Sequence, residues 1–389
     1  MNTNNSVLIV GGGIAGLVLA TQIAKTERRI TVIEKAPEWT IKGAGMHRYS
    51  NALRALEEIG IAEEIVAASV TQDEYEYADT KDEFQVRVTY PRLTRGDFPA
   101  LTSISRRVLH DILLGNAQRA GADIRLGTTF TSIRQTADEV DVTFSDGQSG
   151  TFDLVVGCDG IYSQVRTEIF GRNDPVYTGQ GIWRSILKRH SDSILPKIMY
   201  SGGGKMFGII PIDDEHVYML AGMPNPDRRR FPEDRFHTLV HEEFGHFGGL
   251  APHYLAEITE PEQVIYTAIE IIEQPAPWYE ERVFLIGDAA HASPPYLAQG
   301  AAMAIEDSIV LGHLIAQDLE PAELGRQYMD RRYKRANFIQ TRSIQRNKER
   351  YQGGSYESTD GQKSERMIYL ENHAQREIDE LYTTLAEPI

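Results

Sequence analysis

The chain has 389 residues, 41% hydrophobic and 25% charged, which is length for two or three domains and ordinary globular composition. Its 40 Lys and Arg against 56 Asp and Glu give a net charge of −16, which argues against sequence-independent binding to nucleic acid, since that depends on cation–phosphate contacts. The single cysteine, Cys158, excludes an internal disulfide and a Cys-based metal site and suits a reducing cytoplasm, and no apolar run approaches the roughly 18 residues of a membrane span.

The opening MNTNNSVLIVGGG has no basic segment and no cleavage site, so Ser6–Val10 is expected to be a buried strand rather than part of a leader. LVLATQIAKT then shows helical apolar spacing and residues 30–35 alternate like a strand, completing a βαβ unit of about thirty residues. Residues 50–66 read as one helix, with Ser50 or Asn51 as N-cap. From about 70 to 103 the chain is polar and β-leaning, with YEYADT and EFQVRVTY as candidate strands. A helix over 105–120 follows, closing in RAGAD, then short strands in ADIRLG, FTSIRQT, EVDVTFSDG and FDLVVGCDG. Residues 174–275 are mainly β, interrupted by one amphipathic helix near 232–247. A buried strand at 283–287 precedes helices over 299–317, 322–351 and about 364–385. Nucleotide-type segments therefore recur at 6–60, 104–170 and 280–317, separated by β-rich insertions. The expected fold is α/β: a discontinuous Rossmann-like domain (1–70, 104–172 and 277–320), an inserted β-sheet substrate domain (71–103 and 173–276) and a helical C-terminal region (321–389).

Gly11-x-Gly13-x-x-Gly16 lies after the first strand and opens the first helix. The first glycine permits the tight turn, the second lets a pyrophosphate approach the backbone, and the third, with Ala15 beside it, lets helix and strand pack closely. Glu34 stands 18 residues after Gly16 at the end of the second strand, where a carboxylate accepts from ribose hydroxyls; Lys35 follows it. This motif leaves the choice between FAD and NAD open. Two later strands, DLVVGCDG and RVFLIGDAAH, end in Asp159-Gly160 and Gly287-Asp288, placing a carboxylate at each strand tip, where ligands sit in α/β sheets. Such an Asp can accept from a flavin ribityl chain, and a helix N-terminus at Gly300 leaves N–H groups to face the negative end of a reduced flavin.

GGGIAG, Asp159-Gly160 and GDAAH…QGAAMAIED together resemble the single-component flavoprotein aromatic hydroxylases, the p-hydroxybenzoate and salicylate hydroxylase superfamily, over roughly residues 6–345. The resemblance implies that the Rossmann-like domain binds FAD, with NADH or NADPH as a transient co-substrate and O2 activated at flavin C4a to hydroxylate a small electron-rich aromatic ring. It implies that Asp288 holds the ribityl chain, Gly300 and Ala301 face the pyrimidine ring, Arg106 in R-x-x-L reaches the FAD chain and phosphates, and Asp159 serves both FAD and the nicotinamide cofactor. KGAGMHRYSNALRALEEIGI and HASPPYLAQGAAMAIEDSIVL are similar to segments of the 6-hydroxynicotinate 3-monooxygenases and 2-methyl-3-hydroxypyridine-5-carboxylate oxygenases. His47 matches an active-site histidine of the former, but Lys205 and Ile209 stand where His and Tyr are expected, so the substrate is not carried over. The 3-hydroxybenzoate 6-hydroxylases share YLAQG, but Pro295 replaces a glutamine they use.

The candidate catalytic residues are His47, Arg184 and Tyr296. An imidazole can take a proton from a ring hydroxyl near neutral pH, or simply pack beside the flavin. Arg48 can contact cofactor or substrate anion, or cap the next helix. In Trp183-Arg184 one side chain should face a pocket and the other the opposite layer; the arginine would hold a phenolate or carboxylate, or form a structural ion pair. Tyr296 either lines the pocket or packs. His291, Met206, Phe207 and Cys158 read as structural, and the run 331–346 as a solvated helix face. No metal is expected. The expected partners are a small aromatic and O2, without nucleic acid or membrane, in a cytoplasmic monomer or homodimer. The alternatives are a related flavoprotein monooxygenase acting on a larger polycyclic or isoprenoid substrate, and a non-catalytic FAD-binding module.

Overall fold

The computed structural model describes residues 5–41, 44–83, 85–190, 198–352 and 363–389, with the side chains of 48, 350–352 and 363–374 outside that description. Its first sheet has six strands in the order Tyr279–Glu280, Val283–Leu285, Leu154–Gly157, Ser6–Val10, Arg29–Glu34 and Asp123–Leu126. All are parallel except Tyr279–Glu280. Ser6–Val10 and Leu154–Gly157 are buried throughout, as strands covered on both faces must be. Helix Gly300–Ile315 packs on helix Ile14–Ile23 through small residues, and Ser308 Oγ donates to the Ala15 carbonyl at 2.9 Å.

A second sheet has seven strands, ordered Ile265–Ile271, Val176–Lys188, His216–Pro224, Lys205–Pro211, Ile198–Gly202, Glu74–Asp79 and Gln85–Thr89. Its alternation assigns two faces. Trp183, Phe207, Ile209, Val217 and Met219 enter a core closed by helices Phe236–Phe244 and Ala251–Leu255. Ile182, Arg184 and Ile186, with Tyr218 and Leu220 opposite, turn the other way, toward the first sheet's layer. A small sheet, Gly45–Tyr49 with Leu101–Ser105 and Val70–Gln72, lies between the two. Val70–Gln72 and most of Leu101–Ser105 fall in the stretch expected to be β-leaning, whereas Gly45–Tyr49 has no counterpart among the expected strands, being short and running straight into a helix.

Other differences have local causes. The helix expected over 50–66 is two helices, Ser50–Glu57 and Ala62–Ala67, broken where Gly60 takes φ +76°. The run 331–346 is not a solvated face. In helix Pro321–Gln352, Leu324, Tyr328, Arg332, Arg335, Ile339, Gln340, Ser343 and Asn347 form a buried stripe at helical spacing. Its arginines are buried because carboxylates meet them: Arg332 donates to Asp307 at 2.7 Å and Glu306 at 2.8 Å, and Arg335 to Glu306 at 2.7 Å. No helix among the described residues is long and apolar enough to cross a membrane.

Candidate active site

Three adjacent parallel strands end together. Gly11 N–H donates to Ile33 O at 2.8 Å, Cys158 N–H to Val10 O at 2.8 Å and Ile286 N–H to Gly157 O at 3.1 Å, so Gly11, Asp159 and Asp288 crown one edge. Gly11 has φ +110°, and a Cβ there would lie 2.5 Å from the Cys158 carbonyl oxygen. A Cβ at Gly16 would collide with the Gly11 carbonyl, so the turn and the close helix both require glycine. Gly13 is different: it is exposed, a Cβ there would meet nothing within 4 Å, and it caps the helix with no side-chain bond to the free N–H groups. That is an open cradle of donors at a positive helix end.

Asp288 is exposed at its strand tip, with protein packed densely around it. Burial raises its carboxyl above the usual range, with His291 and Arg106 pulling against that shift. The Cβ position of Gly300 looks onto Asp288 Oδ1 at 4.0 Å, and helix Gly300–Ile315 begins there with no side-chain cap, Gly300 and Ala301 being half-buried. Two uncapped helix N-termini and a strand-tip carboxylate thus converge. The arrangement fits a dinucleotide with a flavin ring, which needs donors at its diphosphate, an acceptor at its ribityl chain and positive potential at its pyrimidine end.

Some predicted residues carry other bonds. Both Glu34 oxygens accept backbone N–H groups, from Gly12 at 3.0 Å and Ala36 at 2.9 Å. Lys35 is exposed. Asp159 accepts from Ser163 Oγ at 2.5 Å, Gln164 N–H at 2.7 Å and Val165 N–H at 3.1 Å, capping helix Gln164–Phe170; burial raises its carboxyl. The buried Arg166 ties the two strand-tip turns together, donating to Ile161 O and Ala289 O, each at 2.8 Å. His291 donates to Asp307 at 2.6 Å with both side chains buried, and Asp307 also accepts the Gly287 N–H at 2.9 Å. The histidine therefore braces the Asp288 turn.

Opposite the cleft, Arg184 lies against the Tyr218 phenol and donates to Thr267 Oγ1 at 2.8 Å, while Trp183 is fully buried in the other core, as the alternation required. Burial raises the Tyr218 phenol, and Arg184 and Arg106 act against that shift. No carboxylate lies within ion-pair distance of Arg184 or Arg106 among the described residues. Strand Gly45–Tyr49 packs on Tyr218 at Gly45, and His47 shares that face of the strand. His47 Nδ1 is 3.2 Å from Ser103 Oγ, and its ring meets Tyr49 and Tyr75 edge-on, both at 5.2 Å. Tyr296 is half-buried in the short turn Pro295–Leu297. Arg48 belongs to the same strand as His47, but its side chain lies outside the described residues. Phe207 and Ile209 face the helix-covered core, and Lys205 is drawn to that side by Glu243 at 2.8 Å, which removes all three from the cleft. Tyr218 was missed in the sequence; its only signal was its place in a predicted strand.

The chain matches the family model described as "FAD binding domain" over residues 4–343. It is 31% identical over 345 residues to 2-heptyl-3-hydroxy-4(1H)-quinolone synthase of Pseudomonas aeruginosa, covering 87% of each chain. It is 28% identical over 360 residues to 3-hydroxybenzoate 6-hydroxylase 1 of Aquipseudomonas alcaligenes, covering 87% of this chain and 88% of the relative. The fold resembles that of Klebsiella pneumoniae HpxO crystallised with FAD and uric acid, with a TM-score of 0.84 at 21% identity over 98% and 97% of the two chains.

Proposed function

The chain belongs to the FAD binding domain family and is a flavoprotein monooxygenase, and from that premise we propose that it uses NAD(P)H and O2 to hydroxylate a small, electron-rich aromatic or N-heteroaromatic ring. The observation that carries this reading is the facing pair of surfaces: a donor-rich strand-tip cleft, and a sheet face bearing Arg184, Tyr218 and, at its border, His47. The relatives named for hydroxybenzoate and quinolone chemistry support it.

When bound, FAD supplies two-electron storage and, once reduced, oxygen activation. Gly11, Gly13, Ala15 and Gly16 would admit its diphosphate, with Arg106 at hand; Glu34 and Lys35 would serve the adenosine end, Asp288 and Asp159 the ribityl side, and Gly300 and Ala301 the pyrimidine end. Arg48 would contact the cofactor. Arg184 would hold an anionic substituent of the ring, with Tyr218 fixing its guanidinium. His47 would take the proton of a ring hydroxyl, its Nδ1 held by Ser103 so that Nε2 keeps one direction. Tyr296 would close the pocket and exclude water. The first sheet and its helices form the cofactor domain in this reading, and the seven-stranded sheet the substrate domain.

The test is NAD(P)H consumption with hydroxybenzoate, hydroxypyridine and hydroxyquinoline acids, the product being weighed for one added oxygen. An aromatic that both accelerates consumption and gains oxygen is the expected result. Consumption that no aromatic accelerates, with peroxide as the only product, would overturn the hydroxylase reading. With a substrate in hand, Arg184→Met should raise its KM by roughly 10- to 100-fold, as loss of a charge-assisted contact does, while flavin content stays unchanged.

A further inference from the structure

Gly11-Gly12-Gly13 is the most pliable backbone a chain can contain, yet it has to present donors to a cofactor in one geometry. Two side chains outside every motif grip it. Trp39 lays its ring on Gly12, so that a Cβ there would fall 2.5 Å from the indole. His110, on helix Arg106–Arg119 and 4% exposed, packs against Trp39 with ring centroids 4.6 Å apart. Its Nε2–H donates to the Gly12 carbonyl at 3.0 Å. A carbonyl can only accept, so the proton sits on Nε2, and Nδ1 is left buried with no hydrogen-bond partner among the described residues. On its other side Gly12 donates its N–H to Glu34 at 3.0 Å.

Gly12 is therefore held at its N–H, its Cα and its C=O by three different segments. The last contact matters most. The Gly12 carbonyl and the Gly13 N–H belong to one planar trans peptide and point in opposite directions. Drawing the carbonyl toward His110 turns the Gly13 N–H away from it, at the residue where a Cβ would find open space. We propose that Trp39 and His110 are positioning residues for FAD, which lock the Gly12–Gly13 peptide plane and so present the Gly13 N–H to the cofactor's diphosphate before it arrives. The ordering of a glycine run is then complete in the apoprotein and is not charged against binding. This inference rests on the cofactor alone and is independent of the aromatic substrate.

The experiment is an FAD titration of apoprotein followed by flavin and tryptophan fluorescence, for wild type, His110→Ala, His110→Gln, Trp39→Ala and Trp39→Phe, with each apoprotein's melting temperature measured alongside. His110→Ala should weaken FAD binding about tenfold, the scale of one lost hydrogen bond, and Trp39→Ala by a similar factor. His110→Gln, whose amide can still donate to the Gly12 carbonyl, should recover most of the loss, as should Trp39→Phe. At saturating FAD the KM values for NAD(P)H and for any aromatic should not move. An unchanged FAD Kd in both alanine variants overturns the proposal. So does a loss that follows the melting temperature and is not recovered by glutamine or phenylalanine. Should an alanine variant fail to fold, the conservative pair decides: near-wild-type FAD Kd in both sustains the proposal, and a tenfold loss in both defeats it. Wild-type apoprotein that takes up no FAD would refute the cofactor assignment itself, a separate outcome.

Discussion

A methyl group added at Gly16 would collide with the Gly11 carbonyl, whereas one added at Gly13 would meet nothing within 4 Å. The two glycines of one motif should therefore fail differently. Gly16→Ala should cost about 1–3 kcal/mol through overpacking and lose flavin along with stability. Gly13→Ala should cost only about 0.5–1 kcal/mol, the change expected of a helix N-cap, while its methyl occupies the diphosphate approach and weakens FAD binding tenfold or more. Apoprotein melting and flavin content measured together check both. Equal melting losses would mean that the open space at Gly13 has no bearing on the cofactor. At the same scale the motif glycines were legible in the sequence, because their spacing encodes backbone geometry. Trp39 and His110 were not, because nothing in a sequence marks which distant ring falls on a turn.

Helix Gly300–Ile315 carries Glu306 and Asp307, both without exposed surface, and the flavin-facing role proposed for its N-terminus depends on their partners. Burial pushes the Asp307 carboxyl up, but His291 and Arg332 outweigh it and hold the group well below the ordinary carboxylate range. For Glu306, Arg332 and Arg335 likewise overcome burial. A carboxylate with a depressed folded-state pKa stabilises the protein above its unfolded pKa, near 4, and that contribution fades as pH falls through the folded value. Acid unfolding should accordingly set in below about pH 4, and Asp307→Asn should flatten that arm of the stability profile. The same substitution should cost roughly 3–5 kcal/mol at neutral pH, because it leaves the buried Arg332 and Arg335 to share the single carboxylate of Glu306 and weakens the anchors of His291 and the Gly287 turn. Thermal melts of both proteins from pH 3 to 7 test this; profiles of identical shape would refute the assignment.

Across the whole molecule, the end of helix Lys363–Ala386 joins parts that the chain order separates. Ile378, Leu381, Tyr382 and Leu385 are buried, and Tyr382 meets the stacked pair Tyr49 and Tyr90 edge-on at 6.3 Å and 6.1 Å. Arg54 donates to the carbonyls of Leu385 at 2.8 Å and Ala386 at 3.1 Å, and Arg335 to Leu385 at 3.0 Å, cations at the negative end of a helix. Gln375 reaches Thr89 on the edge strand of the seven-stranded sheet. Removing residues 375–389 strips four apolar side chains from the core, a gross loss of roughly 6–12 kcal/mol, which is comparable to the entire stability of a typical domain. The truncated chain should lack a cooperative melt. A truncated protein melting within a few degrees of wild type would show that this segment is dispensable to the fold.

By itself the sequence determined the α/β class, the strand-tip glycines and carboxylates, and the family, because these depend on local backbone requirements and on residues close together in the chain. It also required Trp183 and Arg184 to face opposite ways, since strand alternation leaves no other choice. Only the tertiary structure decided which of the two faces the cleft, that Tyr218 stands beside Arg184, that Lys205 and Ile209 turn away, and that two arginines of a charged helix are buried. Each of those outcomes is set by which distant element covers a face. That is a matter of packing between segments, and one-dimensional periodicity cannot specify it.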